Sequence, residues 1–407
     1  MFRSGEKAMK ILVLNSGSSS VKYQLFRSDD WLSLASGAVS RIGESIGDLS
    51  CRWTDADGVR HRRDDSLAIP NHHAAISHII ASLRESGVLV DLDELGAIGH
   101  RVVHGGEVFH SPTIIDDEVV EVIKAVIPLA PLHNPAHLAG IAVARELCPD
   151  VPSVAVFDTA FHLTMPRTAY RYALPEYLYK EHRVRRYGFH GTSHHYVAKR
   201  AAAMLDKPLG ECNLITLHLG NGASATAIRN GHSVDTSMGL TPLEGLVMGT
   251  RSGDLDPAII FYLSKNLGFD NDTLDQLLNR QSGLLGLSGV NDVREIHRLA
   301  KAGDDRAELA LGVFSHRLVK YIGAYYALLG EIDAIVFTGG IGENDAVIRS
   351  RACHTLANLG VHLDEPANQA PTGGERVIST PESPVKVFVV PTNEELEIAQ
   401  QVCDTVT

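Results

Sequence analysis

Apolar positions along the chain fall into two rhythms. Short, mainly apolar runs at 11–14, 153–157, 332–337 and 385–390 have the length of buried strands. Between them, 73–84 and 119–127 carry apolar residues at helical spacing. The alternation predicts an α/β or α+β protein. No Gly/Ser linker or low-complexity segment interrupts it, so any domain boundary is a compact crossing, placed near Val151 to Asp158.

One local pattern occurs twice, about half a chain apart. Ile11-Leu12-Val13-Leu14-Asn15-Ser16-Gly17-Ser18-Ser19-Ser20 resembles Leu214-Ile215-Thr216-Leu217-His218-Leu219-Gly220-Asn221-Gly222-Ala223-Ser224. Each is an apolar strand running into a turn of small residues, followed by an alternating segment, Val21 to Phe26 or Thr226 to Ile228. Strand, tight turn, strand is the predicted unit, and Asn230-Gly231 predicts a further hairpin turn. Gly220 to Ala225 formally fits a dinucleotide-binding glycine pattern, but that site needs a helix after the glycines and a strand follows here. A Walker-A loop is excluded because the chain contains no Gly-Lys-Ser/Thr.

Composition narrows the function classes. The 407 residues are 44% hydrophobic and 21% charged, the balance of a globular protein. With 37 Lys and Arg against 49 Asp and Glu, the formal net charge is -12, which disfavours nucleic acid as a partner. No apolar run is long enough to span a bilayer, so a cytoplasmic protein without membrane contact is expected. The five cysteines are widely spaced, with no Cys-x-x-Cys pair, and predict neither a disulfide framework nor a thiolate zinc site.

Several segments could carry chemistry. Gly/Ser turns expose backbone N–H groups that can bind phosphate oxygens, although each alone could be an ordinary hairpin turn; Lys22 stands beside the first. A third glycine cluster, Thr338 to Asn344, follows a strand and precedes a helix expected from about Asp345 to Leu359, ended by Gly360. Arg251 lies in a loop ending at Asp256-Pro257, a helix-start pair, and Arg101 lies on an apolar strand. Asp158 and Glu394 each follow a strand; either could be functional, or a turn or first-turn helix residue. His190/His194 and His133/His137 have i, i+4 spacing, which raises a zinc-hydrolase reading, but there is no His-Glu-x-x-His and Gly188 to Ser193 is a poor helix interior.

Taken together, Asn15 to Lys22, Gly99 to Glu107, Tyr187 to His194, His218 to Gly222, Met248 to Pro257 and Gly339 to Asn344 closely resemble the acetate kinase family from Lys10 onward. The resemblance implies two duplicated actin-like (ribonuclease H-like) α/β domains with a nucleotide cleft between them. Residues 1–157 plus 392–407 would form the N-terminal domain, and 158–391 the nucleotide-binding one. It implies Asn15 and Glu394 as metal-associated positions, with magnesium expected and manganese able to substitute. Asp158, His190, Arg251 and Arg101 are the implied catalytic residues. Arg101, Val103, Leu132, Phe189 and Pro242 would bind the acyl substrate. ATP or ADP is expected at Lys22, at His218, Leu219, Gly220, Asn221 and Gly222, at Asp292, Val293 and Arg294, and at Gly340, Ile341, Gly342, Glu343 and Asn344. A homodimer is implied as well.

The activity implied is reversible, magnesium-dependent, in-line phosphoryl transfer from ATP to acetate. Acetate is already ionised near neutral pH, so no general base is required, and Asp158 is better suited to organising a metal or an arginine. Propionate is the close competitor substrate, because one methylene is worth only about 1–3 kcal/mol in an apolar pocket. An actin-like, nucleotide-switched assembly protein is the alternative of a different class.

Overall fold

The computed structural model describes residues 8–55, 57–131, 133–371 and 373–407. The chain divides into two compact units, one comprising residues up to Ala160 together with Asn393–Thr407, the other Phe161–Thr392. Asp158, expected to open the second domain, therefore lies in the first unit.

Among the described residues the first unit carries eight strands: β1 Lys10–Ser16, β2 Ser20–Arg27, β3 Ser33–Ser40, β4 Gly47–Thr54, β5 Arg60–Leu67, β6 Leu95–Val102, β7 Thr113–Ile114 and β8 Ser153–Phe157. They form one sheet in the order β5-β4-β3-β2-β1-β6-β8-β7. The second unit carries β9 Leu214–Leu219, β10 Ala223–Arg229, β11 His232–Thr236, β12 Ala334–Thr338, β13 Arg376–Val377 and β14 Lys386–Val389, in the order β11-β10-β9-β12-β14-β13.

The two sheets repeat one plan. In each, an antiparallel meander, β1 to β5 in the first and β9 to β11 in the second, is followed by two strands parallel to its first strand, β1-β6-β8 or β9-β12-β14, and a two-residue antiparallel strand flanks the outside. The half-chain sequence repeat is thus a repeat of topology. The hairpins at Gly17 and Gly220 and the turn at Asn230-Gly231 lie where expected.

Near-continuous apolar runs form the central strands because helices cover both faces of each sheet. Leu12 and Leu14 pack with Ile76, Ile79 and Leu83 of the helix His72–Glu85, while Ile11 and Val13 pack with Ile398 and Val402 of the C-terminal helix Glu394–Val406. In the second unit Val197, Ala198 and Ala201 of the helix Gly191–Met204 close over Leu214, Val336 and Phe388. The outer strand β5 is charged from Arg60 to Asp65 and exposed, which blunts an edge that would otherwise pair with another sheet. No helix among the described residues is long and apolar enough to cross a membrane.

Two local expectations are corrected. The Gly339–Asn344 connection, expected to precede the helix, is itself a short helical turn, in which Glu343 Oε1 accepts from the Gly339 N–H and Asn344 Nδ2 donates to the Gly340 carbonyl. The following helix is regular only over Ala346–Cys353, then tightens to a 3-10 helix, His354–Leu359, before Gly360 ends it in a left-handed conformation. Asp345 caps it by accepting from Ile348 N at 3.0 Å.

Three histidines are buried in the neutral form. Burial pushes His100 and His137 down to about 3, with Arg101 adding to the effect at His137, and burial also drives His194 far below its ordinary value. Below pH 6.5 the unfolded chain therefore takes up protons that the native state refuses, costing up to about 1.4 kcal/mol per pH unit per histidine. Glu394, raised only to about 6, acts in the opposite sense with a smaller shift. The urea midpoint is expected to fall steadily between pH 6.5 and 5, and less steeply in His100→Gln. A midpoint unchanged down to pH 5 would contradict this.

Candidate active site

In both units the polar residues gather at the carboxyl ends of the parallel strands, the usual location of ligand sites in open α/β sheets. The polar cluster of each unit is described by itself.

In the first unit Asn15 stands near the end of β1, opposite Lys22 of β2, and Arg101 near the end of β6. The Arg101 guanidinium grips Asp158, just after β8, in a two-pronged pair: Nη2 lies 2.6 Å from Oδ2 and Nε lies 3.1 Å from the same oxygen and 3.2 Å from Oδ1. Glu394 Oε2, at the start of the C-terminal helix, is 3.8 Å from Arg101 Nη2. Burial opposes charge on Arg101, but Asp158 and Glu394 more than offset it and hold the guanidinium firmly protonated. Burial pushes Glu394 up to about 6; Arg101 and Lys22 pull it down, while Asp158 and Glu395 push it further up.

Negative charge is therefore in excess around Arg101. The carboxylates of Asp158 and Glu394 beside Arg101 are hard oxygen donors, and Asn15 offers a further amide oxygen near the end of the adjoining strand β1. This chemistry fits a magnesium ion. Val103, implied as part of the acyl pocket, is buried just beyond β6; Leu132 lies outside the described residues.

In the second unit Arg251 is the central cation. Its Nη1 reaches only the Pro242 carbonyl at 3.4 Å and Met248 Sδ at 3.6 Å, and no carboxylate among the described residues pairs with it. Burial, together with Arg280, lowers its pKa. Such a guanidinium is poised for an anion. A Cβ placed on Gly222 would sit 3.4 Å from Arg251 Nη1 and 3.5 Å from His190 Nε2, so both groups border the same turn. His190 is held in a left-handed conformation, φ 57°, at the start of the helix Gly191–Met204, and its ring stacks on that of His218 at 4.3 Å. Phe189 is buried beside it in sequence, and its carbonyl meets His162 Nε2 at 3.0 Å.

The loop carrying Pro242 and Arg251 is clamped from both ends. Arg186 Nη1 donates to the carbonyls of Thr236, Ser237 and Met238, and its Nη2 lies 2.6 Å from Glu244. Asp254 accepts from Gly245 N at 2.8 Å and from Tyr321 Oη at 2.9 Å, and pairs with Arg317 at 3.1 Å. Sequence reasoning missed Arg186, Glu244, Asp254 and Tyr321, since their partners lie far along the chain.

The glycine turns differ in how they are supported. Gly220 N donates to the Gly222 carbonyl at 3.0 Å, and the Asn221 carbonyl accepts from Gly249 N at 3.0 Å, tying the Leu219-Gly220-Asn221-Gly222 turn to the Arg251 loop. Gly339 has φ 77°, and any Cβ there would come within 2.8 Å of the Leu219 carbonyl. Beneath Gly340, Ile341 and Gly342, the buried Arg349 donates to the carbonyls of Gly342 and Glu343 at 2.9 and 3.0 Å and to Asn368 at 2.7 Å. With no carboxylate among those partners, burial and the neighbouring Arg376 lower Arg349 to about 10. The Glu343 carboxylate is turned inward onto Gly339 N and Thr392 N, so the backbone of this turn is what it can offer a ligand. Asp292 caps the helix Val293–Lys301 and pairs with the exposed Arg294 at 2.6 Å; Val293 is buried. Arg349 could not be singled out from sequence, because only its burial distinguishes it from a surface arginine.

These features define a mixed α/β protein built from two copies of one five-stranded plan, with an acid-and-arginine cluster on one and, on the other, an arginine without a carboxylate partner among the described residues, set among histidines and glycine turns. The sequence profile of the Acetokinase family matches residues 10–400, and the chain belongs to that family. A protein from Syntrophobacter fumaroxidans named acetate kinase is 54% identical over 399 residues, which span 98% of this chain and 97% of the relative. The crystal structure of Porphyromonas gingivalis acetate kinase has a TM-score of 0.92 at 44% identity, covering 98% of this chain and all of the other. A propionate kinase from Francisella tularensis has a TM-score of 0.90 at 45% identity, covering 97% and 99%.

Proposed function

We propose that this protein transfers a phosphoryl group reversibly between ATP and acetate, forming acetyl phosphate and ADP by direct in-line transfer. The observation that carries the reading is Arg251, a half-buried guanidinium without a carboxylate among the described residues, beside His190 and a glycine turn, in a chain that matches its family over residues 10–400. The acetate carboxylate attacks in its ionised form, so no protein group has to remove a proton. Arg251 and His190 meet the equatorial oxygens of the transferring group, where charge must be neutralised. Arg101 orients the acyl carboxylate, and Asp158 holds Arg101. The turns at His218 to Gly222 and Gly340 to Asn344 seat the nucleotide. Asn15 and Glu394 would hold magnesium, which when bound supplies further charge neutralisation on the phosphates.

Acyl-hydroxamate formation with Mg-ATP and hydroxylamine, offering acetate, propionate and butyrate in parallel, tests this. Acetate is expected to lead in kcat/KM. Propionate leading would move the substrate to the larger acid, the reading that the Francisella relative favours; no product from any acid would refute the proposal.

The magnesium role gives a pH dependence. Glu394, pushed up to about 6, must release its proton to bind the cation, so the magnesium concentration for half-maximal rate should rise about tenfold per pH unit below pH 6 and level off above it. Titrations from pH 5 to 8 would show this, and Glu394→Gln should abolish the slope. A pH-independent requirement in the wild type would remove Glu394 from the metal site.

The protein is proposed to act in the cytoplasm as a homodimer. The helix Ala258–Leu267 has no buried residue and exposes Ile259, Phe261, Tyr262 and Leu267, an apolar surface suited to a second copy. Sedimentation of the wild type at twice the monomer mass, and of Phe261→Glu at the monomer mass, is expected. A wild-type monomer would refute the dimer, and a dimeric Phe261→Glu variant would place its interface elsewhere.

A further inference from the structure

Behind His190 runs a chain of side chains to which no role has been given. His190 Nδ1 lies 2.9 Å from Ser224 Oγ, Ser224 Oγ lies 2.7 Å from His194 Nε2, and His194 Nδ1 lies 2.7 Å from Thr216 Oγ1. Ser224, His194 and Thr216 are buried, with at most 0% of their surface exposed. Ser224 and Thr216 project from β10 and β9, and His194 from the first turn of the helix that His190 opens, so the spacing is set by regular elements rather than by a loop.

Proton bookkeeping restricts this chain to two arrangements. Each hydroxyl has one hydrogen to donate, and a neutral imidazole has one N–H. His194 is kept neutral by its burial. If Thr216 donates to His194 Nδ1, then His194 Nε2–H must donate to Ser224, Ser224 donates to His190 Nδ1, and a neutral His190 carries its proton on Nε2. Reversing one bond reverses all three and puts a proton on His190 Nδ1, which leaves a lone pair on Nε2 of the neutral ring and a second N–H there only if the ring is an imidazolium. The Nε2 edge borders the same turn as Arg251 Nη1. An anion received there is stabilised by the first arrangement and repelled by a neutral ring in the second.

We propose that Ser224, backed by His194 and Thr216, is a positioning residue that fixes the proton of His190 on Nε2, so that a neutral imidazole donates to the anion held by Arg251. This rests on the reading of His190 as a contact of the transferring phosphoryl group. The relay supplies a directed donor to the anion.

The test combines kinetics with the nitrogen-15 spectrum of the histidine rings in the full-length protein, His190 being assigned by its loss in His190→Gln. With acetyl phosphate bound, His190 should show a bare Nδ1 and a protonated Nε2. Ser224→Ala should mix the two tautomers and lower kcat about tenfold or more, the loss expected for one buried hydrogen bond, with the KM for acetate changed little. Ser224→Thr, which keeps the hydroxyl, should recover most of the rate. In a His190→Gln background Ser224→Ala should cost nothing further. A protonated Nδ1 in the wild-type complex, or an equal loss in the His190→Gln background, would overturn the proposal. His190→Gln at the wild-type rate would instead refute the reading of His190, and the spectrum would still decide the relay. Should Ser224→Ala not fold, the wild-type spectrum and the Ser224→Thr kinetics decide it.

Discussion

Arg251→Ala is expected to lower turnover at least about a thousandfold while leaving the melting temperature within a few degrees of wild type. The two halves of this expectation share one cause. Arg251 lies in a region that has withdrawn it from water, and Arg280 adds repulsion. Its contacts, the Pro242 carbonyl at 3.4 Å and Met248 Sδ at 3.6 Å, are too long to repay that burial. Removing the side chain therefore breaks no strong native interaction. In the proposed reaction the same group meets charge spread over the transferring phosphoryl oxygens, where a desolvated guanidinium is worth most. Arg251→Lys should recover only a small part of the loss, since an ammonium keeps the charge but not the planar fork. Rates in both directions and thermal melts of the three proteins check this. A near-normal rate in Arg251→Ala would remove it from the mechanism, and a collapse in melting temperature would make it structural.

Asp158→Ala should behave differently, losing activity and stability together. Asp158 is 1% exposed, and its carboxylate takes both prongs of Arg101. Deleting it leaves a half-buried guanidinium with only Glu394, 3.8 Å away. Breaking one partner of a buried pair costs about 3 kcal/mol, which for a unit of this size is a drop of roughly 6–12 °C in melting temperature. Arg101 would then swing toward Glu394, moving both the proposed acyl-carboxylate ligand and the proposed metal carboxylate, so a loss of about a hundredfold or more in kcat/KM is expected. Asp158→Asn should soften the structural loss, because the amide oxygen can still accept from Nη2, but not the electrostatic one. Unchanged melting in Asp158→Ala would show that the pair contributes nothing to folding.

The contrast between these variants follows from what each arginine is paired with, and pairing was not legible in the chain. Arg101 and Asp158 could both be placed at strand ends from local apolar runs, yet they are 57 positions apart and nothing in either segment says that they meet. The same holds for Arg186 with Glu244 and for Arg349 with the carbonyls beneath the third glycine turn.

The duplication was visible because each strand and turn is encoded locally. A strand buried on both faces must be apolar throughout, and a tight turn must use small residues. That signal repeats wherever the topology repeats, so β1 with β2 and β9 with β10 announced themselves. Local encoding also explains where the reading slipped. The glycines at 339–342 read as a connection preceding the helix because glycine is a poor helix former, but Glu343 and Asn344 cap the turn with their own side chains, and Arg349 ties down its carbonyls.

By itself, then, the sequence determined the central strands, the repeated turns and the family to which the chain belongs, all of which depend on short segments or on motifs in order. Only the tertiary structure decided which arginine is neutralised and which is left bare, which histidines stay neutral, and that Ser224 stands between His190 and His194. The physical reason is that charge state and hydrogen-bond direction are properties of an environment assembled from distant segments, and they come into being only when those segments exclude water together.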